Sequence, residues 1–188
     1  MKKINDLEIV NSINRGNSAD FAILVDRYKD KGFSLLKRML RNEMDAEEVL
    51  MDSFMKAYKS LSSFRNDAKF STWFYKIVYN SALSFVASKR RKMENDLSSL
   101  EDHYDLQNND DEIYSKSENL REYLLNLVEQ LPPRNALVVV LFYIDDMSLA
   151  EISQVLDISV VNTKVMLHRS RNLLRELMLK HNYQEEIL

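Results

Sequence analysis

Residues 148–177, "SLAEISQVLDISVVNTKVMLHRSRNLLREL", bring together side chains suited to holding nucleic acid. A short apolar helix is followed by a tight "LDIS" break and a longer helix carrying bases, the order in which a helix-turn-helix lays one helix across a DNA backbone and a second in a groove. Ile152, Leu156, Ile158 and Leu167 are spaced to lock the two helices together. Asp157 stands at the turn, where a left-handed residue is needed and where Asp is tolerated almost alone besides Gly and Asn. The second helix then offers Asn162, Lys164, Val165, His168, Arg169 and Arg171 toward DNA. The plainer reading is a helical hairpin with a solvated basic face, because such patterns are degenerate.

Two further stretches carry interaction chemistry. Phe64, Arg65, Lys69, Phe70, Trp73, Phe74, Tyr75, Lys76 and Tyr79 interleave aromatics with bases, the mixture that holds single strands by stacking on exposed bases and following the phosphates. Phe74, Ile77 and Val78 at helical spacing read more readily as core. The second stretch, "DAEEVLMDSFMKAY" from Asp45, places Glu48, Asp52, Met55 and Lys59 on one helical face, either a solvated surface or a docking face for a basic partner. Catalysis finds no support. The three histidines, His103, His168 and His181, do not cluster at metal-ligand spacing, there is no glycine-rich phosphate loop, and no cofactor is expected.

The elements that must position these groups read as all-α. Only 2 Gly and 2 Pro interrupt 188 residues, too few for many hairpins, and apolar residues recur at helical spacing. A first module spans 5–92. In it Ser18 is expected to cap a helix with the stripe Phe21, Leu24, Val25 and Tyr28, Asp45 to cap the acidic helix, and Ser71 or Thr72 to cap a long helix ending in "SKRRK". An acidic segment, 93–118, follows, poor in large apolar residues and expected to be a flexible linker. A second module spans 119–182, where "PPRN" separates two helices ahead of the helix-turn-helix, and the last residues read as a frayed tail.

The net charge of −3 looks wrong for a DNA binder until it is divided along the chain. The acids gather in 93–118, between two segments with local basic excess, and local charge sets the field a nucleic acid meets. Absence of cysteine rules out disulfides and thiolate zinc sites and suits a reducing cytoplasm. No apolar run has signal-peptide or membrane-helix character.

In order, these pieces resemble the extracytoplasmic-function (ECF) type of sigma factor of bacterial RNA polymerase. "DFAILVDRYKDKGFSLLKRML" and "DAEEVLMDSFMKAY" are similar to the first core helix and the polymerase-binding helix of its region two. "FRNDAKFSTWFYKIVYNSAL" resembles that region's minus-ten recognition loop and helix, and "LPPRNALVVVLFYIDDMSLAEISQVLDIS…LHRSR" resembles region four, which reads the minus-thirty-five element. The resemblance implies two small helical domains and no enzymatic activity. It implies core RNA polymerase and promoter DNA as partners, with room for an anti-sigma factor, which is common in the family. It carries core-polymerase contacts onto Asp45, Glu47, Glu48, Met51 and Asp52. Minus-ten contacts fall on Phe64, Arg65, Asn66, Asp67, Lys69, Trp73, Lys76 and Asn80. Minus-thirty-five contacts fall on Lys164, Val165 and His168 toward bases, and on Arg169 and Arg171 toward phosphates. The chain departs from the family's usual residues at Met51 (often Gln), Asn66 (often Gly), Thr163 (usually apolar) and Met166 (usually Arg). The alternative is a helix-turn-helix regulator that acts without polymerase and would need neither the acidic helix nor the aromatic-basic loop.

Overall fold

The computed structural model describes residues 4–96 and 120–180. Most of the acidic linker (97–118), His103, His181 and the C-terminal tail lie outside the described residues. Among the described residues there are eight α-helices: α1 Asp6–Asn14, α2 Phe21–Leu40, α3 Glu43–Ser60, α4 Phe70–Asp96, α5 Leu120–Glu129, α6 Pro133–Tyr143, α7 Leu149–Leu156 and α8 Val160–Lys180. No strand occurs among the described residues. The all-α expectation holds.

In the first module α2, α3 and α4 pack around Leu24, Leu36, Ala57, Phe74 and Val78, all fully buried. Gly32 lets α2 approach α3: a Cβ there would stand 2.8 Å from Leu50 Cδ1. Asp6, in the first turn of α1, ties that helix to α2 by accepting hydrogen bonds from Arg27 and the Tyr28 hydroxyl. Burial, and then this bond, push the Tyr28 hydroxyl pKa well above its ordinary value, so it stays a donor.

Several helix ends differ from expectation. Asn42, not Asp45, caps α3: it is extended, and its Oδ1 accepts from the Asp45 N–H at 2.9 Å. Asp45 moves into the first turn, where the helix dipole still favours an acid. Ser18 opens a short 3-10 turn, Ser18–Asp20, instead of capping α2. Ser71 and Thr72 lie inside the first turn of α4, which begins at Phe70. That helix also runs four residues past the expected module boundary at 92, to Asp96.

In the second module α6 is buried on every side from Ala136 to Leu141, as befits a helix apolar all round. Pro133 supplies its first turn, where the missing N–H costs nothing. Ser148 and Glu151 form a capping box on α7. Asp157 ends α7 in the left-handed region (φ 54°, ψ 46°), as its place in the turn implied. Ile152, Leu156 and Leu167 are buried between α7 and α8, with Ile158 packed against them.

The backbone at Asp157 gives a first prediction. Asp157→Gly should keep the thermal midpoint within a few degrees of the parent, because glycine adopts this conformation without steric cost. Asp157→Val should lose stability by about 1–2 kcal/mol or more, since a branched Cβ is penalised there. Thermal unfolding of the two variants side by side checks it, and equal losses would show that the carboxylate, not the backbone, holds the turn.

The two modules pack on each other, α6 against α2 and α7 against α4. Leu137, Val138, Leu141 and Met147 join the first module's core in one apolar cluster. Burying each such side chain contributes about 1.5–3 kcal/mol. The exposed cross-module ion pairs contribute about 0–1 kcal/mol each, so the apolar contact decides the arrangement. Lys31 and Asp145 form a different kind of pair, at 2.6 Å, because the Asp145 side chain is only 8% exposed.

Candidate nucleic-acid interface

Three surfaces gather the residues singled out from the sequence. On α3, Glu47, Glu48, Met51 and Asp52 are all exposed. Asp45 turns away from them and pairs with Lys89 of α4 at 2.8 Å. Asp52 pairs within its own helix with Lys56 at 2.7 Å. The acids share α3 with exposed apolar side chains: besides Met51 and Met55, 72% and 57% exposed, Met44 at 80% and Tyr58, which the sequence did not single out, are open. Met55 and Tyr58 continue into a shallow apolar depression with Phe21, Phe54 and Lys59. The spacing 44, 51, 55, 58 was the available sign, because large apolar residues repeat there on the face opposite the buried Ala46, Val49 and Ala57.

On the second surface, Phe64, Phe70 and Trp73 form one aromatic group with ring centroids 5.3–5.9 Å apart. Phe70 is buried, and Phe64 and Trp73 are half-buried. The group anchors both ends of the 64–69 loop. Arg65, Asn66, Asp67 and Lys69 project from that loop into solvent. Asn66 has φ 59°, so a residue standing where glycine is common in the family occupies a conformation glycine favours. Lys69, Trp73, Lys76 and Asn80 follow at intervals of four, three and four, one line along α4.

The second module's acids meet that line. Lys69 pairs with Glu151 at 2.8 Å and Lys76 with Asp157 at 2.9 Å. Burial works to raise the Glu151 carboxyl, but hydrogen bonds from Lys69 and Ser148 outweigh it and hold its pKa below the ordinary value. Asp157 therefore has two roles, ending α7 and neutralising a cation of α4. Each carboxylate neutralises much of its lysine's attraction for a phosphate, so the two pairs weaken this line toward a strand.

On the third surface, Thr163, Leu167 and Ser170 face inward from α8. Thr163 is fully buried where an apolar residue is usual, and its hydroxyl donates to the Ser159 carbonyl at 3.1 Å. Ser170 accepts from Asn135 and donates to the Met166 carbonyl. Asn162, Lys164, Val165, His168, Arg169 and Arg171 all lie on the open side. Among the described residues no group of His, Cys, Asp or Glu is placed to hold a metal ion.

The family models for "Sigma-70 region 2" and "Sigma-70, region 4" match residues 24–92 and 121–174, which contain all three surfaces. The ECF RNA polymerase sigma factor SigW of Bacillus subtilis is 33% identical over 175 residues, 89% of this chain and 93% of that protein. The chain belongs to the ECF sigma factors.

The ECF RNA polymerase sigma-E factor of Salmonella typhimurium is 31% identical over 177 residues, covering 90% of this sigma factor and 92% of that one. The fold agrees with two solved structures. The sigma factor RpoE in complex with the anti-sigma factor NepR, from Bartonella quintana, has TM-score 0.65 at 16% identity, covering 85% of this chain and 96% of that one. CnrH in complex with the cytosolic domain of CnrY has TM-score 0.60 at 22% identity, covering 93% and 96%. As a sigma factor the chain binds core RNA polymerase and directs promoter-specific initiation. It is not an enzyme, since RNA synthesis belongs to the polymerase. The region-two match disfavours the alternative of a regulator acting without polymerase. No described helix is long and apolar enough to cross a membrane.

Proposed function

We propose that the sigma factor divides its work among the three surfaces. The α3 face, with Glu47, Glu48, Met51 and Asp52, docks on core polymerase, and Asp45 supports it by holding Lys89. The 64–69 loop and the α4 line, with Phe64, Arg65, Asn66, Asp67, Lys69, Trp73, Lys76 and Asn80, take the opened minus-ten strand. The outer face of α8 reads the minus-thirty-five duplex through Asn162, Lys164, Val165 and His168, with Arg169 and Arg171 on phosphates. The working units are then 5–92 and 119–182, spanned by the acidic linker 93–118, and the site of action is the cytoplasm, where polymerase and chromosome are. The observation that carries this reading is the line of Lys69, just ahead of α4, with Trp73, Lys76 and Asn80 on α4. It continues a loop cation with an aromatic, a second cation and an amide along the helix that starts at the aromatic-anchored loop.

The test is promoter binding and transcription by holoenzyme reconstituted with core polymerase. Arg169→Ala and Arg171→Ala should weaken binding to all upstream sequences and lower the salt slope, because phosphate contacts carry no base identity. Lys164→Ala and His168→Ala should instead change the preferred upstream element, at about 1–3 kcal/mol each. Equal losses on matched and scrambled elements for all four variants would reduce α8 to a source of charge.

A further inference from the structure

The first two turns of α8 expose an apolar group whose target on the DNA the assignment of α8 to the upstream element leaves unnamed. Val160, Val161 and Val165 are 47%, 71% and 42% exposed. Val161 and Val165 lie one turn apart, opposite the buried Thr163 and Leu167, and His168 continues the same line. Exposed β-branched residues gain nothing in helix propensity and leave apolar area in water. The charge around them says what would cover them. Lys164, Arg169 and Arg171 stand exposed beside the stripe, and α8 has no acid before Glu176. A basic helix led by an apolar tip fits the major groove, where the only apolar group on a base edge is the 5-methyl of thymine.

We propose that Val161 and Val165 read the 5-methyl groups of thymines in the upstream promoter element. The inference rests on the assignment of α8 to that element. Side chains one turn apart have Cβ atoms about 5–6 Å apart. Base pairs rise about 3.4 Å per step. The two methyls therefore belong to adjacent or next-but-one base pairs, on either strand.

The test uses uracil, which keeps every hydrogen-bonding group of thymine and lacks only the methyl. Holoenzyme first selects promoters from a library randomised across the upstream element. The winning duplex is then synthesised with deoxyuridine replacing each upstream thymine in turn. At two positions within two base-pair steps, uracil should weaken holoenzyme binding by about fourfold, the value of burying one methyl-sized group. In the Val161→Ser, Val165→Ser double variant, which leaves no methyl to meet the base, thymine and uracil should bind alike at those positions. Arg169→Ala should keep the discrimination at lower overall affinity. Both valines are exposed and serine is close to valine in helix propensity, so the double variant folds, and its thermal midpoint checks this. A selected element without two such thymines, a parent indifferent to uracil, or a uracil penalty surviving in the double variant would overturn the proposal. So would unchanged discrimination with lost core-polymerase affinity, which would make the stripe a protein contact. A holoenzyme with no upstream preference at all would instead remove the assignment of α8 on which the proposal rests.

Discussion

Replacing Glu48 and Asp52 together by lysine should abolish co-purification of the sigma factor with core polymerase while leaving its helicity intact. Both carboxylates are exposed on α3, and neither takes part in the cap at Asn42 or in the buried face of Ala46, Val49 and Ala57. The fold loses only the pair of Asp52 with Lys56, which at a spacing of four is worth about 0.3–0.5 kcal/mol. Lysine at 52 then faces Lys56, a repulsion of similar size. Against a basic docking partner the change is far larger, because opposed like charges in an interface cost several kcal/mol. Each 1.4 kcal/mol is a factor of ten in affinity, so a loss of about a thousandfold is expected. Met51→Ala should weaken binding without the salt dependence of the charge variants, since it removes apolar contact only. Asp45→Ala should do less than the double reversal, because that carboxylate is occupied with Lys89. Retained association of the double variant, with normal circular dichroism, would remove the docking face from α3.

The parts of this molecule legible in the sequence are those fixed by local rules. Asp157 could be placed at a left-handed turn because few residue types tolerate that conformation and the apolar spacing changes on either side of it. The inward face of α2 followed from its apolar stripe. The α3 cap was misplaced because Asn42 and Asp45 are both good capping types three residues apart. Asn42 takes the cap because the chain has just left a left-handed residue at Arg41 (φ 53°) and is extended at 42. The end of α4 was misjudged because composition turns acidic at Glu94 while the helix continues to Asp96. The packing of the modules was not legible at all. Lys76 and Asp157 are 81 positions apart, and neither residue carries a local mark of the other. The same holds for Lys69 and Glu151, paired across the two modules.

That pairing and the backbone of the loop shape the second large effect, on promoter opening. Asn66→Gly combined with Asp67→Ala should slow open-complex formation on duplex promoters by at least tenfold. Glycine is the right replacement at 66 because φ is 59° there; alanine would add backbone strain of about 1–2 kcal/mol and confuse loss of the amide with loss of loop shape. The loop can hold a base only after its pair has opened, and opening costs a few kcal/mol that stacking and pocket hydrogen bonds must offset. Phe64, Phe70 and Trp73 are untouched in this variant, so the loop stays anchored and the groups removed are those able to meet a base edge. Templates pre-melted at the minus-ten region separate two roles. If the loop drives melting, the defect should nearly vanish on them. If it reads a base, the defect should persist and depend on the base offered. Lys69 and Lys76 add a salt signature. Before they can follow the strand they must leave Glu151 and Asp157, and screening weakens both sets of contacts. Glu151→Gln with Asp157→Asn should therefore speed opening by a few-fold at low salt, with the gain shrinking as salt rises. A loop variant with normal opening rates and unaltered minus-ten preference would make residues 64–69 a connector between helices and leave the reading of the minus-ten strand to α4 alone.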